Sequence, residues 1–155
     1  MTDTLSPALS ALDRLEVREA CERLALDYSF LADSGRMEEW SRLFADDGEL
    51  VLFGQTYRGP AAILAAVSAG PRAPGAFTVH AVANHRIDVL GPDRAEATAA
   101  IIVYAGERKD GAPAAVPRIA PLMVGTYHDA YRRTASGWRF ARRAFEPLIT
   151  TAATD

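Results

Sequence analysis

Thr78-Val79-His80-Ala81-Val82-Ala83-Asn84-His85-Arg86-Ile87 is the stretch whose reading decides the fold. It reads as a β-strand: β-branched and apolar residues dominate, and the stretch holds neither proline nor glycine. Alternate side chains of a strand share a face. Thr78, His80, Val82 and Asn84 are therefore expected on one face, with Val79, Ala81, Ala83, His85 and Ile87 on the other. The second face is apolar until His85. The first carries a hydroxyl, an imidazole and an amide, as the wall of a partly polar cavity would. His80 is its one group that titrates near neutral pH.

Working outward, the 155 residues suit one domain with a core large enough to need no staples. The expected divisions are a flexible arm over 1–8, a single domain over 9–149 and a tail over 150–155. Hydrophobic residues make up 49% and charged residues 24%, as in ordinary globular proteins. No apolar run reaches the length of a membrane span, so no membrane partner is expected. The N-terminus lacks a basic region followed by an apolar core, so a secretory leader is not expected. Cys21 is the single cysteine and excludes an internal disulfide framework; together these point to the cytoplasm. A net charge of −3 argues against nucleic acid as a partner.

A helix is predicted from Leu9 to about Ala32, with an apolar stripe of Leu12, Leu15, Ala20, Leu24, Tyr28 and Leu31, and Gly35 to stop it. A second short helix from Met37 to Phe44 turns Trp40, Leu43 and Phe44 inward. Asp46-Asp47-Gly48 reads as a turn, Glu49–Phe53 as a strand, Gly54-Gln55 as a turn and Thr56–Arg58 as the returning strand. Gly59-Pro60 opens a helix to about Ser68. Gly70–Gly75 and Lys109–Pro121 read as loops. Four strands are predicted over 77–90, 94–106, 122–133 and 138–145. Helices followed by an antiparallel meander make an α+β fold: a cone-shaped curved sheet, wrapped by the N-terminal helices around an internal pocket.

Several phrases then carry a resemblance. Leu43-Phe44-Ala45-Asp46-Asp47-Gly48, Tyr57-Arg58-Gly59-Pro60-Ala61-Ala62-Ile63, Thr78-Val79-His80 with Asn84 and Ile87, and Arg132-Arg133-Thr134-Ala135-Ser136-Gly137-Trp138-Arg139-Phe140 occur in one order. They resemble the SnoaL-like branch of the nuclear-transport-factor-2-like superfamily over about residues 10–146. Within it the chain looks nearest to the group of scytalone dehydratase, hexachlorocyclohexane dehydrochlorinase and bile-acid 7α-dehydratase. The resemblance implies a lyase that pairs an aspartate at the end of the first helix, here Asp33, with a histidine on the first long strand, here His80. It also implies roles for Tyr28 and for an arginine of the last strand, best matched by Arg143. Ala32 stands where scytalone dehydratase has a tyrosine, and Leu122–Val124 stand near its second histidine.

The chemistry of that pattern is direct. A carboxylate accepts a hydrogen bond from one ring N–H, fixes the tautomer and leaves the other nitrogen to accept a proton from carbon. The bland alternatives are a strand histidine bonded to backbone, a solvated aspartate at a helix end and a core tyrosine. For Asp33 the helix dipole is unfavourable, which calls for a partner. Arg143 would stabilise developing negative charge. Arg139, Ala141 and Arg143 alternate with Trp138, Phe140 and Arg142, and one of these faces lines the cavity unless a bulge intervenes. Asn84, Tyr57, Trp40, Phe53, Met123 and Tyr127 are expected to line the substrate site. His85 is expected to be structural, and no role falls to His128 or Asp129. No metal-ligand spacing, phosphate loop or nucleophile elbow occurs, so no cofactor is expected.

The expected function is a cofactor-independent dehydratase or dehydrohalogenase acting on a hydrophobic cyclic or polyketide-like small molecule. The rivals are an isomerase or cyclase using the same dyad, and a non-catalytic binding protein such as an oxygenase β subunit. The resemblance also implies a homo-oligomer, trimer or dimer.

Overall fold

The computed structural model describes residues 9–68, 74–108 and 120–150. The expected N-terminal arm, most of both predicted loops and residues 151–155 of the tail lie outside the described residues.

Ser10 starts α1 (Ala11–Asp33) with a reciprocal cap. Its hydroxyl accepts from the Asp13 amide at 3.1 Å, and the Asp13 carboxylate accepts from the Ser10 amide at 2.9 Å. The buried stripe is Val17, Cys21, Leu24, Tyr28 and Ala32. Leu12 and Leu15, expected on that stripe, are exposed. A helix turns one stripe to the sheet, and the threes and fours from Val17 onward set it. At the other end Gly35 adopts φ 72°, its amide donates to the Ala32 carbonyl, and the Arg36 amide donates to the Leu31 carbonyl. This Schellman closure makes Asp33 the last helical residue.

α2 (Met37–Ser41) is shorter than expected, and Phe44 begins β1 (Phe44–Leu52) instead of ending the helix. Asp46-Asp47-Gly48, expected as a turn, runs inside β1, where pairing with the last strand shifts register between Phe44 and Glu49. The turn is Phe53-Gly54, not Gly54-Gln55, and leads into β2 (Gln55–Arg58). α3 (Pro60–Val67) starts on its proline. The long strands follow: β3 (Ala76–Val89), β4 (Arg94–Glu107), β5 (Met123–Thr134) and β6 (Gly137–Thr150). β6 continues through Pro147, which sits opposite Gly125 where the register shifts. A residue without an N–H is tolerated at such an irregularity.

The strand order is β2-β1-β6-β5-β4-β3. β1 runs parallel to β6, and the remaining pairs are antiparallel. This open, curved sheet holds α1 against β3, and the fold is α+β as expected. The core gathers the α1 stripe, Trp40, Phe44, Leu50, Ile63, Ile87, Ile101, Tyr127, Tyr131, Phe140 and Phe145. Among the described residues no helix is long and apolar enough to cross a membrane.

Two bulges decide which side chains face inward. Between Ala83 and Arg86, β3 gains one residue on β4, and Asn84 takes φ 52°. Asparagine tolerates the left-handed region better than most side chains. Beyond the bulge the alternation flips, so Ile87 enters the core although simple alternation places it with Val79 and Ala81. Likewise β6 gains a residue at Ala141 between the pairs Phe140–Tyr131 and Arg142–Ala130, so Phe140 and Arg143 are both buried.

Gly35→Ala tests the closure of α1. A Cβ in the left-handed region costs about 1 kcal/mol. The melting temperature should fall by roughly 2–4 °C in calorimetry.

Candidate active site

The end of α1 places Asp33 beside β3, and the strand supplies three hydrogen bonds to its carboxylate. Thr78 Oγ1 donates to Oδ1 at 3.1 Å, the His80 amide donates to Oδ2 at 2.8 Å, and His80 Nδ1 lies 2.6 Å from Oδ1. An acidic group that takes a hydroxyl and an amide proton acts as the acceptor toward the ring as well. Nδ1 therefore carries the proton, and Nε2 is left as the free ring nitrogen. Both side chains are largely buried.

Thr78 and His80 lie on the wall of a cavity of about 460 Å³. The rest of the lining is mainly apolar and includes Ala32, Met37, Leu52, Val67 and Val103. Of the expected lining residues, Trp40, Phe53, Met123 and Tyr127 line it, as does Tyr28. Tyr57 and Asn84 do not. Tyr57 belongs to the edge strand β2 and packs against the core from there. Asn84 is the bulge residue and points to solvent, because its left-handed backbone takes it out of the alternation.

Burial raises the Tyr28 phenol well above its ordinary pKa, reinforced by Tyr127, its hydrogen-bond partner. Burial raises Tyr127 as well. Both phenols are neutral across the ordinary pH range. The Tyr28 ring packs on Trp40 with centroids 4.8 Å apart. Trp40 Nε1 is buried without a partner among the described residues.

Arg143 is not on the cavity wall. Its side chain is 0% exposed and makes a two-point ion pair with Asp129: Nε to Oδ1 at 2.8 Å and Nη2 to Oδ2 at 2.6 Å. Burial works against the guanidinium's charge, but Asp129 outweighs it and the pKa rises. The guanidinium carbon lies 4.2 Å over each of three rings: Tyr28, Tyr127 and Phe140. This corrects the expected contact between Arg143 and a substrate, since two tyrosines of the wall stand between the cation and the cavity. Asp129, to which no role was assigned, is the buried partner, and it also accepts from the Tyr131 hydroxyl at 2.8 Å. The bulge at Ala141 hides this pairing from strict alternation. His85 lies 3.5 Å from that hydroxyl, and burial lowers its pKa although Asp129 opposes the shift.

Thr78 and Asp129 are the polar groups whose contribution sequence reasoning missed. Thr78 shares the inward face of His80, a signal already present in the alternation. Asp129 carries no such signal. Among the described residues no group of three or more His, Cys, Asp and Glu side chains is arranged to hold a metal ion.

The chain and its fold match known proteins. The SnoaL-like domain family matches residues 13–144. An NTF2-like protein with a cystatin-like fold from Novosphingobium aromaticivorans is 32% identical, with 92% of this chain and 88% of that one covered and a TM-score of 0.73. A scytalone dehydratase-like protein from the same organism is 22% identical, with 94% and 93% covered and a TM-score of 0.75. A hexachlorocyclohexane dehydrochlorinase is 24% identical, with 92% and 97% covered and a TM-score of 0.70. The last two likenesses are of fold. No curated protein is significantly similar in sequence.

The buried ion pair is testable by stability. Asp129→Ala leaves the Arg143 charge uncompensated and should cost about 3–5 kcal/mol in urea unfolding. The pair Asp129→Leu with Arg143→Met should cost less than Asp129→Ala alone, because no lone charge remains buried.

Proposed function

Because the chain belongs to the SnoaL-like domain family, we propose that it is a cofactor-independent lyase of dehydratase or dehydrohalogenase type. The observation that carries this reading is the 2.6 Å contact between Asp33 and the His80 ring on the wall of a largely apolar cavity. The substrate is a hydrophobic cyclic or polyketide-like molecule, sized to a space of about 460 Å³.

His80 Nε2 takes a proton from carbon, and the C–H electron pair becomes a carbon–carbon double bond. The leaving group, hydroxide or halide, departs from the neighbouring carbon with its bonding pair. Asp33 keeps Nδ1 protonated and stabilises the imidazolium that forms. A departing hydroxide takes up the proton that His80 removed from carbon, and the neutral Tyr28 phenol on the wall offers it a hydrogen bond. Arg143 acts through the Tyr28 and Tyr127 rings that it supports, and not on the substrate. The largely apolar lining lowers the local dielectric and strengthens each of these interactions.

The test is a panel of hydroxylated and halogenated alicyclic and polyketide-like compounds, followed by mass spectrometry for loss of water or hydrogen halide. His80→Ala should lower turnover by roughly two to four orders of magnitude. Asp33→Asn should also be severe, because an amide neither enforces the tautomer nor stabilises the charged ring. The two losses should be far from additive, since both residues serve one proton transfer. Products isomeric with their substrates would move the reading to an isomerase. Near-wild-type rates in both folded variants would replace the enzyme with a binding protein.

The protein also assembles with copies of itself in this reading. Leu12, Leu15, Leu26 and Phe30 on α1, and Leu148 and Ile149 on β6, are large exposed apolar side chains that assembly would cover. Light scattering at micromolar concentration should give the mass of a dimer or trimer; a monomer mass would remove the claim.

A further inference from the structure

Phe53 stands where local chemistry disfavours it. Leu52 pairs with Gln55, so β1 and β2 are joined by a loop of two residues, Phe53-Gly54. Both have positive φ, 48° and 79°. Such a turn matches the twist of the strands, and its first position favours asparagine, aspartate or glycine. A bulky side chain in the left-handed region crowds its own backbone and is strained. Burial within the chain does not offset that strain, because Phe53 is 58% exposed.

The ring nevertheless belongs to the cavity. It lies edge-on to Phe145, with centroids 5.5 Å apart. Phe145 meets Tyr127 at 5.9 Å, Tyr127 meets Tyr28 at 5.8 Å, and Tyr28 meets Trp40 at 4.8 Å. All five side chains line the cavity, and Phe53 is the exposed rung of this ladder. Tilted and edge-to-face contacts along it make a continuous aromatic wall from rim to interior. A strained residue that spends its side chain on a half-exposed contact at a cavity wall, and not on the core, is a mark of function.

We propose that the Phe53-Gly54 turn holds Phe53 as a rigid aromatic rim that selects uncharged, ring-bearing ligands over open-chain ones of similar size. This inference deepens the lyase reading, and it rests on the same cavity being the substrate site. The tight turn fixes the ring before a ligand arrives, so little ordering remains to oppose binding. A flat or alicyclic ring entering the cavity covers the exposed part of Phe53 and extends the ladder. A flexible chain of equal carbon count loses more freedom against the same wall.

The experiment uses 1-naphthol and 1-decanol as probes, titrated calorimetrically against the full chain. Wild type should bind 1-naphthol more tightly. Phe53→Asn places a favoured residue in the turn and should raise the melting temperature by roughly 2–4 °C. The same variant should weaken 1-naphthol binding about tenfold, the loss of one aromatic contact, and change 1-decanol binding far less. Phe53→Tyr keeps the ring and should restore the preference. Three results would overturn the proposal. One is a Phe53→Asn protein with unchanged 1-naphthol affinity. Another is a fall in its melting temperature, which makes the ring a packing element. The third is a change in oligomer mass with unchanged probe affinity, which assigns the ring to a second copy. Binding is read without turnover, so the two readings fail separately. Retained turnover in His80→Ala sinks the lyase and leaves the rim, whereas unchanged probe binding in Phe53→Asn sinks the rim alone.

Discussion

The carboxylate of Asp33 ends a helix at the pole that repels it, and β3 makes that position tenable. The last carbonyls of α1 concentrate negative potential where Asp33 sits. Thr78 Oγ1, the His80 amide and His80 Nδ1 all meet the carboxylate and offset that repulsion. One contact therefore does two things. It ties the end of α1 to the edge strand β3, and it aligns the ring of His80 on the cavity wall. The Schellman closure at Gly35 ends α1 directly after Asp33 and gives the Leu31 and Ala32 carbonyls their partners.

Behind the cavity lies a second, different use of charge. Arg143 and Asp129 are both removed from water, and each side of the pair would be costly alone. Two hydrogen bonds to Asp129 and three aromatic faces offset part of the lost hydration, while Arg143 Nη1 is buried without a hydrogen-bond partner among the described residues. Two of those faces are the inner sides of wall tyrosines. The wall thus has a polar backing that holds Tyr28 and Tyr127 in place while their cavity surfaces remain neutral. Tyr28 thus belongs both to the cavity wall and to the packing over the buried guanidinium.

Backbone irregularities, more than residue types, decide which groups join the site. A single extra residue at Asn84 carries Ile87 into the core and His85 toward the Tyr131 hydroxyl. Another at Ala141 turns Phe140 and Arg143 to one side. Such shifts reverse the sense of every following side chain, because the strand repeat is two.

The pairing of Asp33 with His80 was what the family resemblance implied, whereas the order of elements and the α+β class were legible in the chain itself. They follow from short-range regularities: apolar spacing of threes and fours, alternation in β3 before its bulge, and Gly35 as a stop signal. The inward position of His80 was legible for the same reason, since it precedes the bulge. Only the tertiary structure decided the place of Arg143, the burial of Asp129 and the exclusion of Asn84 and Tyr57 from the cavity. Those outcomes depend on register between strands distant in sequence. A bulge costs little locally, and its position is set by the partner strand and the core, so no window of neighbouring residues records it.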